Sequence, residues 1–184
     1  MADSPWDMWS AIGTMAAVAV ALGVSGHAAY ANRRADKDRS ELVAARMLSP
    51  ITELERKVSY LFAWFCIDDA EPAEGYMNIL RAIQELDIMA RDISIDDLYP
   101  LLHLKSHAAK RTARALGLIQ SFSADAGAMI SHHTWSDVSQ HKIHFKRWAV
   151  MLSEIKDHLA IAVLACEVAA STGAPRPTTE EIQR

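Results

Sequence analysis

The 184-residue sequence predicts an all-α fold: a single N-terminal transmembrane helix followed by a cytoplasmic antiparallel helical (four-helix) bundle. Three observations carry that expectation. No formally charged side chain occurs between Trp9 and Ala31, and Arg33, Arg34, Lys37 and Arg39 follow at once. Downstream, apolar residues recur at spacings of three and four, the period of a helix with one buried face. Alternating β-branched residues never run long enough to suggest a strand.

The first element spans residues 9–31, enough at ~1.5 Å rise per residue to cross a hydrocarbon core. Alanine and glycine outnumber leucine, isoleucine and phenylalanine in it, so insertion is weaker per residue than for a leucine-rich span, and His27 belongs at the interface. Trp6, Trp9 and Tyr30 flank the run where aromatic belts form. Basic residues follow the run and none precedes it. The positive-inside rule therefore places residues 1–8 outside the cell (inner) membrane and the remainder in the cytoplasm. Gly13, Ala17 and Ala21 recur every fourth position, a small-residue face that lets a second helix approach closely. The same residues also allow a buried hairpin helix of a soluble bundle, or a signal peptide cut after Ala29-Tyr30-Ala31. Asp3 and Asp7, with no Lys or Arg before the run, weigh against cleavage.

Residues 32–48 read as a basic juxtamembrane linker, with Arg33, Arg34, Lys37 and Arg39 each worth ~1 kcal/mol near an anionic surface. Asp36 and Asp38 dilute that patch. The bundle is expected over 49–170. Ser49-Pro50 suits a helix start, although a kinked continuation from the first helix is the other reading. Met47, Ile51, Leu54, Val58, Leu61 and Phe65 make its first stripe. An acidic turn from Asp68 to Gly75 separates this from a second stripe, Tyr76, Ile79, Ile83, Leu86 and Ala90, which ends near Ser94. A third helix starting around Asp97 or Pro100 carries Leu98, Leu102, Ala109, Leu116, Ile119 and Phe122 inward, ending at Ser123–Gly127 or running on to His132. The last stripe, from Val138 and His141 through Trp148, Leu152, Ile155, Leu159 and Cys166 to Ala169, keeps the heptad rhythm for about four heptads. Residues 171–184 are polar and proline-bearing and are expected to be disordered.

Composition narrows the function. A net charge of -4, and aromatic residues at 7 % that concentrate on the apolar stripes, argue against a nucleic-acid platform. Cys66 and Cys166 sit in apolar surroundings far apart in sequence, which reads as two buried free thiols in a reducing compartment. Phosphate-loop, dinucleotide-fold, serine-hydrolase and kinase signatures are all missing. Catalytic residues are therefore unassigned and no cofactor is expected.

Two constellations remain. His103 and His107 lie four apart and His141 and His144 three apart, so pairs on facing helices are candidates for a divalent metal, completed by Asp137, Glu154 or Asp157. Matched pairs arise freely among eight histidines, and neither HExxH nor Glu-x-x-His is present. His103, His107, Lys110 and Arg114 also form a basic stripe, with Lys105 and Arg111 alongside. That stripe suits anions: an acidic membrane leaflet, a phosphorylated ligand, or acidic residues of the same bundle. The expected partners are membrane lipid and a protein partner or second copy. The expected role is interaction, such as that of a small membrane effector or sensor of the toxin or phage-defence kind. A helical metal-dependent enzyme and a soluble interaction domain are the alternatives.

Overall fold

The structure, a computed structural model, describes residues 5–66, 74–132, 135, 138–173, 178 and 181. Among these every regular element is helical: α1 (Pro5–Cys66), α2 (Glu74–Arg91), α3 (Ile95–Leu98), two 3₁₀ turns (Tyr99–His103 and Lys105–His107), α4 (Ala108–Ile130) and α5 (Val138–Gly173). The chain separates into two compact units, Met1–Asp38 and Arg39–Arg184.

In the first unit, every side chain described from Thr14 to Asp38 is exposed. Met15, Val18, Val20, Leu22 and Val24 are 53–75 % exposed and, at 100° per residue, point in all directions around the helix. A Cβ added at Gly23 or Gly26 would meet nothing within 4 Å. The segment is long and apolar enough to cross a membrane.

The second unit is built on the other end of α1. Ala44, Met47, Ile51, Leu54, Val58, Leu61 and Phe65 are each at most 5 % exposed, and they form one core with Ile79, Ile83 and Leu86 of α2, Ile119 and Phe122 of α4, and Trp148, Leu152 and Leu159 of α5. Ser40, Ala44 and Met47 are already buried, so the core begins within the stretch expected to be a linker. Ser49-Pro50 starts no new helix, because α1 runs through it. Proline removes one intrahelical hydrogen bond and crowds the carbonyl four residues back. Its neighbours Met47 and Ile51 are anchored in the core on either side, and the Thr52 hydroxyl donates to the Leu48 carbonyl (2.7 Å) in the same turn.

Direction follows from named contacts. Lys57 of α1 pairs with Glu85 of α2, which holds the Glu85 carboxyl below its ordinary pKa. Arg111 near the start of α4 approaches His158 of α5, whereas Asp125 near the end of α4 meets Arg147 and Trp148 near the start of α5. Those two helices therefore run antiparallel. At the end of α5, Gly173 lies so close to Glu41 that an added Cβ would fall 2.9 Å from its carboxylate, while Phe65 meets Phe145 and Trp148, so α1 and α5 are antiparallel too.

Between α2 and α4 the third stripe departs from one continuous helix. Ser94 caps α3 in a reciprocal box: the Asp97 N–H donates to its hydroxyl (3.2 Å), and its own N–H donates to the Asp97 carboxylate (3.1 Å). The Ser94 hydroxyl and N–H together lower the Asp97 pKa. The 3₁₀ turn at Tyr99–His103 then turns Leu101 inward and leaves Leu102, expected in the core, 47 % exposed. Three residues per turn instead of 3.6 is enough to change which side chain faces inward. Ser106 (φ 59°) and His107 (φ 56°) are left-handed, so α4 starts in a new phase at Ala108 and reaches Ile130. Of the acidic turn expected from Asp68 to Gly75, Glu74 and Gly75 open α2 and the rest lies outside the described residues, as do Asp137 and most of the expected disordered tail. Within that tail, the Thr178 N–H and hydroxyl both donate to the Glu181 carboxylate (2.7 and 3.1 Å).

An aromatic cluster closes one end of the core. Trp148 is fully buried, with Phe65 at 5.3 Å, Trp135 at 5.7 Å and Phe122 at 6.3 Å between ring centroids. Its indole N–H donates to Asp125 (2.7 Å), whose other oxygen accepts from Arg147 (2.9 Å). His141 is buried, stacks on Trp135 at 4.0 Å and donates from Nε2 to the Trp135 carbonyl (2.6 Å). Replacing Trp148 by alanine is expected to cost ~3–5 kcal/mol of unfolding free energy. Trp148→Phe, which removes the donor to Asp125 and fills the site with a smaller ring, should cost an intermediate ~2–3 kcal/mol. Val150→Ala, at an exposed position, should fall within ~0.5 kcal/mol of the parent. Urea unfolding of the detergent-solubilised protein followed by circular dichroism tests this ranking.

Candidate functional site

The basic residues of the third stripe gather where α4 begins. Lys110 and Arg114, four apart on an unbroken helix, project on one exposed side of it. His103 leaves the group. It closes the Tyr99–His103 turn, and the left-handed pair at Ser106 and His107 separates it from α4, so the spacing of four between His103 and His107 is not a helical spacing. His158 of α5 takes its place. An open cleft of ≈ 320 Å³ is lined by His107, Lys110, Arg111, Arg114 and His158.

Three of the basic groups in the cleft are held by named contacts. The Arg111 guanidinium donates through Nε to the Ser106 carbonyl (3.0 Å) and lies 3.4 Å from His158 Nδ1, which ties the left-handed bend to α5. Arg114 donates to Glu154 through its terminal nitrogen (3.1 Å), and His158 Nε2 is 3.7 Å from the same carboxylate oxygen. Glu154 is the acidic side chain that touches this group. His107 occupies the N-cap of α4 without a side-chain hydrogen bond to the helix, and no acidic residue lies in its first turn. The positive end of the α4 dipole therefore adds to the field of the cleft. Arg111 lay beside the expected stripe, whereas His158 was not expected: it stands on another helix, and only its spacing of four from Glu154 marks that side of α5 in the sequence.

The histidine pairs proposed for a metal do not converge. Antiparallel packing of α4 and α5 puts His103 and His107 toward the start of α4, beside the half of α5 that holds His158. His141 and His144 lie at the opposite end, with the aromatic cluster. His141 is engaged with the Trp135 carbonyl, and Glu154 with Arg114. Among the described residues, no three His, Cys, Asp or Glu side chains are grouped to hold an ion.

Of the small-residue face, Gly13 is helical and Ala17 and Ala21 are exposed. Arg33, Arg34, Lys37 and Arg39 are all exposed along the same helix. Comparison with protein-family models, with curated proteins and with solved structures returned no match to this chain.

The two thiols are free but differ in surroundings. Cys166 is buried on the α5 stripe, and burial pushes its thiol up to about 11. Cys66, expected to be buried, is exposed, because it ends α1 one residue beyond the inward-facing Phe65. A thiolate is the reactive form, so at pH 8 Cys166 is both shielded and protonated. An aromatic disulfide reagent at pH 8 should therefore titrate one thiol in the native protein and both in urea. The Cys66→Ser variant should show none until it is unfolded.

Proposed function

We propose that this chain is a single-pass protein of the cell membrane, with its N-terminus outside and a cytoplasmic four-helix bundle that works through contact with a partner rather than through catalysis. The supporting observation is the exposure, on every side, of the apolar stretch of α1 that begins at Thr14. A helix that is apolar all round belongs in an apolar surrounding. Moving Met15, Val18, Val20, Leu22 and Val24 from water into hydrocarbon would be favourable by on the order of 5–10 kcal/mol, at ~1–2 kcal/mol for each partly exposed side chain.

The charged flank sets the orientation in this reading. Arg33, Arg34, Lys37 and Arg39 would remain on the cytoplasmic side, at the level of the headgroups. Gly13, Ala17 and Ala21 would let two anchors pack closely, coupling the state of the bundle to association in the membrane. A soluble domain with a buried first helix fits less well, since none of the apolar window of that helix is buried.

Two measurements test the proposal. The protein should stay with the membrane fraction through alkaline carbonate; an alkaline phosphatase fusion should be active at the N-terminus and a fluorescent protein fusion at the C-terminus. Release into the soluble fraction without detergent, or the reverse pattern of reporters, would overturn it. For the small-residue face, Gly13→Leu with Ala17→Leu should reduce self-association in a membrane two-hybrid assay about tenfold, because bulky side chains there keep the two backbones apart. An unchanged signal removes that face from the reading.

A further inference from the structure

The cleft at the start of α4 gathers like charges that repel one another. Lys110, Arg111 and Arg114 contribute three permanent cations, His107 and His158 two further nitrogen-rich rings, and Glu154 one carboxylate in return. This occurs in a chain whose net charge is -4, so the cleft is not a sample of the general surface. Lys110 and His107 make no hydrogen bond or ion pair within the described protein, while Arg111 is already held by Ser106 and His158. A locked guanidinium beside an unengaged ammonium is an arrangement suited to a tetrahedral oxyanion, because the donors are oriented before the ligand arrives. The volume, ≈ 320 Å³, lies at the small end of ligand sites, which run from ~300 to 1,000 Å³.

We propose that the cleft formed by His107, Lys110, Arg111, Arg114 and His158 is a binding site for a phosphate group carried by a small phosphorylated ligand or by a lipid headgroup. Arg111 and Lys110 bind the phosphate oxygens. Arg114 is shared between Glu154 and the ligand, so Glu154 limits the affinity of the site while holding Arg114 and His158 in place. The proposal does not rest on the membrane reading, since every residue in it belongs to the second unit.

Isothermal titration of the full-length protein in an uncharged detergent with inorganic pyrophosphate is expected to show one saturable site. Lys110→Gln should weaken it about tenfold or more, as loss of a charge-assisted hydrogen bond does. Glu154→Gln should tighten it about two- to fivefold, the effect of removing a competing exposed ion pair. If the basic residues served only to pair with Glu154, the same variant would lower thermal stability and leave pyrophosphate unbound. No saturable binding of pyrophosphate, or binding that neither variant changes, overturns the proposal. The source of the phosphate is read by repeating the titration in phosphatidylcholine nanodiscs containing either phosphatidic acid or phosphatidylglycerol. Weaker pyrophosphate binding with phosphatidic acid alone identifies the lipid headgroup; equal binding in both identifies a soluble ligand.

Discussion

Seven side chains along one face of α1, from Ala44 to Phe65, are the surface on which the rest of the second unit is assembled. Each large one contributes ~1.5–3 kcal/mol when removed from water, and helices of the length of α2 gain most of their stability from such packing rather than from propensity. The face also explains why a proline is tolerated in mid-helix. Pro50 is exposed, and Met47 and Ile51 on either side of it are fixed in the core, so the local cost of the missing hydrogen bond is spread over a helix that cannot easily bend away.

The same helix changes character along its length. From Ser40 onward, one side of the helix is buried in the core and the other is exposed; from Thr14 to Ala31, every side chain is exposed. Arg33, Arg34, Lys37 and Arg39 stand at the change. An amphipathic helix needs a protein partner along one stripe, whereas a uniformly apolar one needs an apolar solvent. Two physical requirements thus meet within one unbroken secondary-structure element, and the proposed membrane anchoring follows from the second of them.

Polar organisation of the second unit follows from the antiparallel run of α4 and α5. Their arrangement sorts the polar residues into two ends. At one, Asp125 accepts from the buried Trp148 indole and from Arg147, closing the aromatic cluster; at the other, Arg111, Arg114, Glu154 and His158 surround an open cleft. The first end sets its histidines among aromatic rings around the buried Trp148, the second leaves its charged groups accessible. That difference is why the histidines of the last helix act structurally near Trp135, whereas His158, farther along the same helix, joins a basic cleft.

Periodicity alone determined the all-helical class, the inward stripe of α1, the inward residues of α2 and the core run from Trp148 to Cys166, because burial on one side of a helix leaves a repeat that any reader of the sequence can find. It also marked Lys110 and Arg114 as neighbours. Three other features were decided only in three dimensions. Ser106 and His107 adopt left-handed geometry where no glycine announces it, which removes His103 from the basic group and exposes Leu102. Cys66 lies outside the core because its helix ends there, although its flanking residues are as apolar as those of Cys166. Above all, His158 and Arg111 meet only because α5 folds back along α4: a sequence records spacing within one helix, while contacts between helices depend on how a shared core sets their register.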